Sequence, residues 1–280
     1  MSSPKEQVTL TYLDASKIAL ITFNVEGKLN ALSQDLYYRL GELLREVARK
    51  EETVVTVITG RGRFFSAGAD VSLSRDQPEE TDLRRHWLTS FAAHNLDLTR
   101  TMSQHPKILV AALNGPAIGL SAGLLGLMDF IYAVPDAWLL TPFSSLGLVA
   151  EGASSRSFVE RLGIAKANEA LLMSKRLGVR ELLACGFVNQ VFEPATQDSD
   201  EDRKWFLERV LKEVRDGLTA DDRLNGESLL RIKALIRREE REKLERVNVE
   251  EVMGGLEMFS KGVPQREFRR LATGEKKHKL

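Results

Sequence analysis

Hydrophobic residues recur with two different periods along the first two thirds of the chain. Alternating apolar positions predict strands at residues 8–13 and 17–23, joined as a hairpin. Ser33 is placed to cap a helix whose apolar face is formed by Leu36, Leu40, Leu43, Leu44 and Val47. Apolar runs predict buried strands at 54–59, 108–113 and 130–134, with helical segments at 82–102 and from about Leu120 between them. Strands that alternate with helices through residues 50–192 indicate parallel βαβ units.

The pattern changes after a polar, acidic connector at residues 194–202. Beyond it, helices are predicted at about 203–216, 221–238 and 241–257, with a short one after Pro264. We therefore divide the chain into a core of residues 1–197 and a helical C-terminal region of residues 198–280. A helical region appended to an α/β core often packs between subunits.

Composition and charge narrow the classes of function. The 280 residues include 40 basic and 40 acidic side chains, so the net charge gives no sign of a nucleic-acid or anionic-membrane partner. Cys185 is the only cysteine, which excludes an intrachain disulfide, and we interpret it as a small buried residue. Residues 108–128 are uncharged over a length that could span a membrane, but Pro116 interrupts them, so a strand, a turn and a buried helix fit better.

Three familiar kinds of site find no support in the sequence. Residues 60–65 begin like a dinucleotide-binding loop, but Phe65 stands where the third glycine is needed, and no NTPase-type phosphate loop occurs. The four histidines lack partners in a zinc-binding arrangement, so we interpret them as surface or packing residues. Ser66 and Ser121 have no obvious histidine partner for a hydrolase triad.

Two glycine-bearing turns carry the first part of the candidate chemistry. Gly68 lies between two alanines in the turn at residues 63–70, and Gly119 lies in the turn at residues 114–123, ahead of a predicted helix. The first N–H groups of that helix have no intrahelical partner and lie at its positive end. If the backbone N–H groups of Ala69 and Leu120 point at one place, they form an oxyanion hole. Tight packing of a strand on a helix is the alternative explanation for the glycines.

Glu151 supplies the second part, because it is the only ionisable side chain between Asp136 and Arg156. Its neighbours at 146–150 are apolar, so its carboxylate is expected to be poorly solvated, which favours proton uptake. Ser154 and Ser155 are predicted to cap the helix that follows. The alternative for Glu151 is a partly exposed loop carboxylate that accepts hydrogen bonds from that helix.

At these residues the chain resembles the crotonase, or enoyl-CoA hydratase/isomerase, superfamily. Residues 65–70 (FSAGAD) and 114–119 (NGPAIG) resemble the two segments that hold the thioester oxygen of an acyl-CoA, over a similarity that spans about residues 8–192. The resemblance implies an α/β fold with a crotonase-like ββα spiral core and a helical C-terminal trimerisation region. It also implies that the backbone N–H groups of Ala69 and Leu120 are the oxyanion donors. The substrate-binding residues that it implies are Ala67, Gly68, Ala69, Asp70, Val71, Gly119 and Leu120.

Departures from the superfamily's pattern narrow the implied reaction. Its hydratases carry two glutamates, at positions that match Gly123 and Phe143 here, so hydration is not expected. Glu151 matches the single catalytic glutamate of peroxisomal delta-3,delta-2-enoyl-CoA isomerases, and residues 146–152 look most like the fungal members. The resemblance therefore implies an isomerase of β-oxidation that turns 3-enoyl-CoA into 2-trans-enoyl-CoA.

In that reaction Glu151 moves a proton from C2 to C4, with no metal and no cofactor beyond the coenzyme A of the substrate. Three alternatives stay open. They are a dienoyl-CoA isomerase, a non-catalytic crotonase homologue that binds acyl-CoA or a partner protein, and, more distantly, a serine hydrolase.

The end of the chain, His278-Lys279-Leu280, resembles the Ser-Lys-Leu peroxisomal import signal, with histidine in place of the usual small residue. A frayed basic tail is the alternative. Because the superfamily resemblance points to the same compartment, we expect import into the peroxisome matrix through the receptor for that signal. The resemblance also implies a homotrimer or homohexamer.

Overall fold

The computed structural model describes residues 3–70, 82–194, 203–220 and 223–276. Its strands are β1 (Val8–Leu13), β2 (Ile18–Phe23), β3 (Val55–Gly60), β4 (Ile108–Leu113), β5 (Ala117–Ile118), β6 (Phe130–Ala133), β7 (Trp138–Leu140), β8 (Leu177–Gly178) and β9 (Gln190–Val191). Its helices are α1 (Pro4–Gln7), α2 (Gln34–Arg49), α3 (Leu83–Trp87), α4 (Ala93–Ser103), α5 (Gly119–Leu124), α6 (Ser154–Leu162), α7 (Ile164–Leu171), α8 (Val179–Ala184), α9 (Lys204–Val214), α10 (Gly226–Ser260) and α11 (Val263–Ala272). A π-helical turn, Leu88–Ala92, joins α3 to α4.

The main sheet follows the order β1-β2-β3-β4-β6-β9. Strands β1 and β2 form an antiparallel hairpin, and every later neighbour in this order pairs in parallel. All residues of β3 and β4 are buried, as their uninterrupted apolar sequences require for strands covered on both faces. The predicted hairpin and parallel βαβ units are confirmed. A smaller sheet, β5-β7-β8, lies beside the second glycine turn.

The capped helix is also confirmed, since the Ser33 hydroxyl accepts a hydrogen bond from the Leu36 N–H at 3.3 Å and the predicted apolar face of α2 is buried. Residues 108–128 fold as β4, a turn, β5 and α5. Among the described residues, no helix combines the length and the apolarity needed to cross a bilayer. Cys185 is only partly buried and packs at the margin of the core.

The C-terminal helices differ from the prediction at one point. Separate helices at 221–238 and 241–257 are wrong, because α10 runs without a break from Gly226 to Ser260. The charged run between them (RREEREK, residues 237–243) contains neither glycine nor proline, and its residues are strong helix formers. Residues 195–202 of the connector and the tail His278 to Leu280 lie outside the described residues.

Helix α10 is attached to the core through a buried ionic cluster around Asp129, at the start of β6. One carboxylate oxygen lies 2.7 Å from the Lys233 ammonium, and the other accepts hydrogen bonds from the Arg237 guanidinium at 2.9 and 3.0 Å. Burial alone would disfavour the charged carboxylate, but Lys233 and Arg237 outweigh it and hold the pKa of Asp129 below its usual value. The cluster therefore fixes the first half of α10 against the start of β6, an inner strand of the main sheet.

We expect Asp129→Asn to lower the free energy of unfolding by about 3–5 kcal/mol, because it leaves the Lys233 charge buried and unpaired. Denaturant unfolding near neutral pH measures this. The matched control on the same helix is Glu227→Gln, whose partner is Arg231 in a largely exposed pair, with a cost below about 1 kcal/mol. Since the folded pKa is lowered, the Asp129 contribution is present above about pH 4 and is lost in stronger acid, where the two proteins should converge. Equal stability at neutral pH would contradict the assignment.

Candidate active site

A cavity of about 1040 Å³ collects the residues singled out in the sequence. The first turn, the second turn and the loop ahead of α6 all contribute to its wall. Its lining includes Ala67, Gly68, Ala69, Asp70, Gly119, Leu120 and Glu151. Val71, which was predicted to bind substrate, lies outside the described residues. The structure thus brings together every described member of the predicted site, while their individual roles stay predictions.

The two glycine turns touch through their backbones. Gly68 has φ +88°, and a Cβ built on it would lie 2.8 Å from the carbonyl oxygen of Ile118, so no side chain fits there. Gly119 has φ +63°, and its own Cβ would lie 3.8 Å from the Gly68 Cα. Both positions need a left-handed backbone, which glycine adopts without steric cost. Absent side chains therefore let the two turns meet at main-chain distance.

Both proposed donors lie outside the regular hydrogen-bond pattern of the secondary structure around them. The Leu32 N–H donates to the Gly68 carbonyl at 2.8 Å, and the Asp70 N–H donates to the Leu32 carbonyl at 2.9 Å. In such a parallel bridge the N–H of the intervening residue, Ala69, is directed away from Leu32. Leu120 is the second residue of α5, where N–H groups have no intrahelical partner. Neither donor is thus consumed by regular secondary structure.

A buried chain of hydroxyl groups links the two turns to α2. The Ser66 hydroxyl donates to the Asn30 carbonyl at 2.8 Å, and Ser66 Oγ lies 2.9 Å from Ser121 Oγ. Because a hydroxyl has one hydrogen, Ser121 must donate to Ser66, and Tyr37 must donate to Ser121 across 2.9 Å. Ser66 Oγ also accepts the Gly68 N–H at 3.1 Å. All donors in this chain of hydroxyl groups point the same way, and the chain ties the first turn to α5, the helix that follows the second turn.

Glu151 is held against α5 by two further glycines. A Cβ built on Gly123 would lie 2.6 Å from the Glu151 carbonyl oxygen, and one on Gly152 would lie 3.2 Å from the Leu124 nitrogen. The backbone at 151–152 therefore packs directly on the helix whose first turn carries the Leu120 N–H. Glu151 is partly buried, at the wall of the cavity. The predicted base and one predicted donor thus belong to the same rigid contact.

The predicted serine caps of α6 are wrong. The residue at the N-cap is Ala153, with φ +56°, and Ser154 Oγ is buried without a hydrogen-bond partner among the described residues. The N–H groups of Ala153 and Ser155 are instead bound by the carboxylate of Glu251, at 2.7 and 2.8 Å. The left-handed turn at Gly152 and Ala153 buries Ser154, so its hydroxyl does not reach the helix end.

Asp70 also lines the cavity, but it is engaged with a neighbour. Its carboxylate lies 2.6 Å from the Lys28 ammonium, with the Asp70 side chain 9% exposed and the Lys28 side chain 55% exposed. Both residues belong to the cavity wall. Glu151 also lines the cavity, and its neighbours at residues 146–150 are apolar.

An aromatic cluster that was not predicted from the sequence forms another part of the wall. The Trp87 and Phe259 rings stack with centroids 4.6 Å apart, and Phe91 lies 4.6 Å from Phe259. The i,i+4 spacing of Trp87 and Phe91 could have indicated that both rings lie on one helix face. No local pattern could have indicated that Phe259 on α10 packs against them. His86 and His94, interpreted as surface or packing residues, also line the cavity, and His86 packs on Trp87 at 4.7 Å.

Comparison with known proteins identifies relatives of the whole chain. Residues 14–265 match the family model described as enoyl-CoA hydratase/isomerase. A protein of Pyricularia oryzae named Delta(3,5)-Delta(2,4)-dienoyl-CoA isomerase is 56% identical over 272 residues, which cover 94% of this chain and 96% of that protein. A Saccharomyces cerevisiae protein named 3,2-trans-enoyl-CoA isomerase is 33% identical over 277 residues, which cover 93% and 96%.

The fold has relatives among solved structures. An enoyl-CoA hydratase/isomerase from Pseudoalteromonas atlantica superposes with a TM-score of 0.78 at 23% identity, and the match covers 98% of this chain and all of that one. At this identity the similarity concerns the fold, and it confirms the predicted crotonase-like α/β architecture with a helical C-terminal region.

We expect Gly123→Ala to lower the free energy of unfolding by about 1–3 kcal/mol, because the added Cβ meets the Glu151 carbonyl at 2.6 Å and forces the loop away from α5. Denaturant unfolding of both proteins tests this. The control is Gly217→Ala, where a Cβ meets nothing within 4 Å; it should be neutral or stabilising by about 0.4–1 kcal/mol. Equal effects of the two substitutions would show that the contact at Gly123 is not tight.

Proposed function

The chain belongs to the enoyl-CoA hydratase/isomerase (crotonase) family, and within it we propose that the protein isomerises 3-enoyl-CoA to 2-trans-enoyl-CoA in the β-oxidation of unsaturated fatty acids. One observation carries this proposal. A single loop places Glu151 against α5, in the cavity that both glycine turns line. Isomerase names among the relatives agree with this class of reaction.

The proposed mechanism uses one carboxylate and two amides. The thioester oxygen binds between the N–H groups of Ala69 and Leu120, and Glu151 removes a proton from C2. The electron pair spreads over a dienolate, whose charge on the oxygen is stabilised by the two donors, each worth about 3 kcal/mol in the transition state. The same carboxyl group returns the proton to C4, so that the double bond ends conjugated with the carbonyl. Every step is a proton transfer, so the mechanism requires no metal and no redox cofactor.

A dienoyl-CoA isomerisation is the second candidate, favoured by the relative that is 56% identical over 272 residues. It begins with the same removal of a C2 proton, but the proton returns at C6, two carbons further from the thioester. A second proton carrier near C6 would assist that step, and the imidazoles of His86 and His94, which line the cavity, are candidates for this role.

We further propose the cellular setting that the sequence resemblance implies. The site residues act in a homotrimer or homohexamer whose subunits pack through residues 198–280. The protein is imported into the peroxisome matrix through His278-Lys279-Leu280. A Mus musculus relative that is 32% identical over 264 residues is named enoyl-CoA delta isomerase 3, peroxisomal, which agrees with the proposed compartment.

We expect Glu151→Gln to lower kcat at least about 10²–10⁴-fold, because the amide cannot accept the C2 proton. Ultraviolet absorbance of the conjugated product follows turnover of a 3-enoyl-CoA, and calorimetry with a saturated acyl-CoA follows binding, which should persist. Glu193→Gln, at an exposed acidic residue, is the control and should keep full activity. Normal turnover by Glu151→Gln would refute the proposed base. Binding without turnover by the unmodified protein would favour the non-catalytic alternative.

Paired substrates decide between the two isomerisations. With a 3-enoyl-CoA and a 3,5-dienoyl-CoA of the same chain length, we expect a higher kcat/KM for the 3-enoyl-CoA, because one carboxyl group reaches the nearby positions C2 and C4 from a single place. A higher value for the dienoyl-CoA, reduced by His86→Gln or His94→Gln but not by Glu193→Gln, would assign the second candidate instead.

A further inference from the structure

Glu251 is a buried carboxylate that the proposed mechanism does not use. It lies on α10, is 7% exposed, and is separated by 98 residues from the Ala153 N–H that it binds at 2.7 Å. Its other oxygen accepts the Ser155 N–H at 2.8 Å. Burial raises the pKa of Glu251, and the hydrogen bonds from Ser155 and Ala153 work against that shift. Both carboxylate oxygens are thus committed to the main chain just after Glu151.

The segment that Glu251 holds has an unfavourable backbone conformation. Gly152 has φ +73°, and Ala153 has φ +56°, which costs free energy for a residue with a Cβ. A left-handed alanine persists only where its surroundings hold it in place. The N–H groups of Ala153 and Ser155 provide this restraint, because they lie at the positive end of α6 and bind the carboxylate of Glu251.

The same face of α10 also contacts the chain on the other side of Glu151. A Cβ built on Gly254 would lie 3.6 Å from Val149 Cγ2, and one on Gly255 would lie 3.8 Å from the same methyl carbon. Positions 251, 254 and 255 are three and four residues apart, so they share one face of the helix. Helix α10 therefore contacts the loop both before and after the proposed base.

We propose that Glu251 is a positioning residue, which fixes the backbone of residues 151–153 and thereby holds the Glu151 carboxylate facing the two oxyanion donors. This rests on the role of Glu151 proposed above. A residue that only capped α6 would contribute to stability alone. A positioning residue also sets the rate of the proton transfer, because small displacements of a catalytic group slow the chemistry strongly.

The test compares Glu251→Gln with its neighbour Glu250→Gln. The amide introduced by Glu251→Gln can accept only one of the two N–H groups and turns its own donor toward the other. We expect kcat to fall on the order of 10–100-fold with KM changed less than about 3-fold. Glu250 has a side chain 65% exposed, so its substitution should leave both constants unchanged. In Glu251→Gln, amide hydrogen exchange should rise at residues 151–155, relative to the unmodified protein.

Glu251→Asp is the second variant, because it keeps the charge and both acceptors on a shorter stem. We expect its kcat and its amide exchange at residues 151–155 to lie between those of the unmodified protein and those of Glu251→Gln. If Glu251→Gln does not fold, Glu251→Asp should still show a lower kcat and faster exchange than the unmodified protein. If either folded variant has a lower thermal stability but an unchanged kcat, the inference is wrong and Glu251 only caps α6. If the unmodified protein isomerises no enoyl-CoA or dienoyl-CoA, the proposed function fails. Independently of activity, unchanged amide exchange at residues 151–155 in the variants would show that Glu251 does not fix this loop.

Discussion

The site depends on contacts between main-chain segments that no side chain separates. Gly68 meets the Ile118 carbonyl, and Gly123 meets the Glu151 carbonyl, each at a distance that excludes a Cβ. Helix α5 lies between these two contacts, since one faces the residue before its first turn and the other faces its second turn. Because both are backbone contacts, they leave little room for adjustment by rotamer changes. The relative position of the first turn, the second turn and the Glu151 loop is therefore set by packing on one short helix.

The C-terminal region completes the site from outside the α/β core. Phe259 on α10 stacks on Trp87 in the cavity wall, and Glu251 on the same helix binds the main chain after Glu151. The ionic cluster at Asp129 holds an earlier part of the helix against the main sheet. A single continuous helix thus links the start of β6, the loop of the proposed base and the aromatic wall. Two shorter helices with a flexible joint would not transmit that alignment.

Local patterns in the sequence predicted what local physics determines. The runs that became β3 and β4, the capped start of α2 and the glycine turns all depend on residues close in sequence. Two failures arose where distant residues decide the outcome, whereas the break predicted in α10 was wrong on local grounds, because residues 237–243 are strong helix formers. Serines at 154 and 155 fit the statistics of a helix cap, yet the left-handed turn before them buries Ser154 and the cap comes from Glu251, far along the chain. Phe259 was hidden for the same reason, because only folding brings it to Trp87.

The contacts around α5 also bear on why isomerisation, and not hydration, fits this scaffold. By the family resemblance, the two hydratase glutamates would stand at positions 123 and 143. Position 123 has no space for any side chain, because its Cβ would lie 2.6 Å from the Glu151 carbonyl. Position 143 holds a buried phenylalanine that lines the cavity. Because the Glu151 loop packs this closely on α5, a glutamate cannot occupy position 123. At position 143 an apolar ring stands in place of the second glutamate. In the proposed mechanism, Glu151 beside an apolar wall replaces a pair that could activate and protonate water, and the abstracted proton returns to carbon.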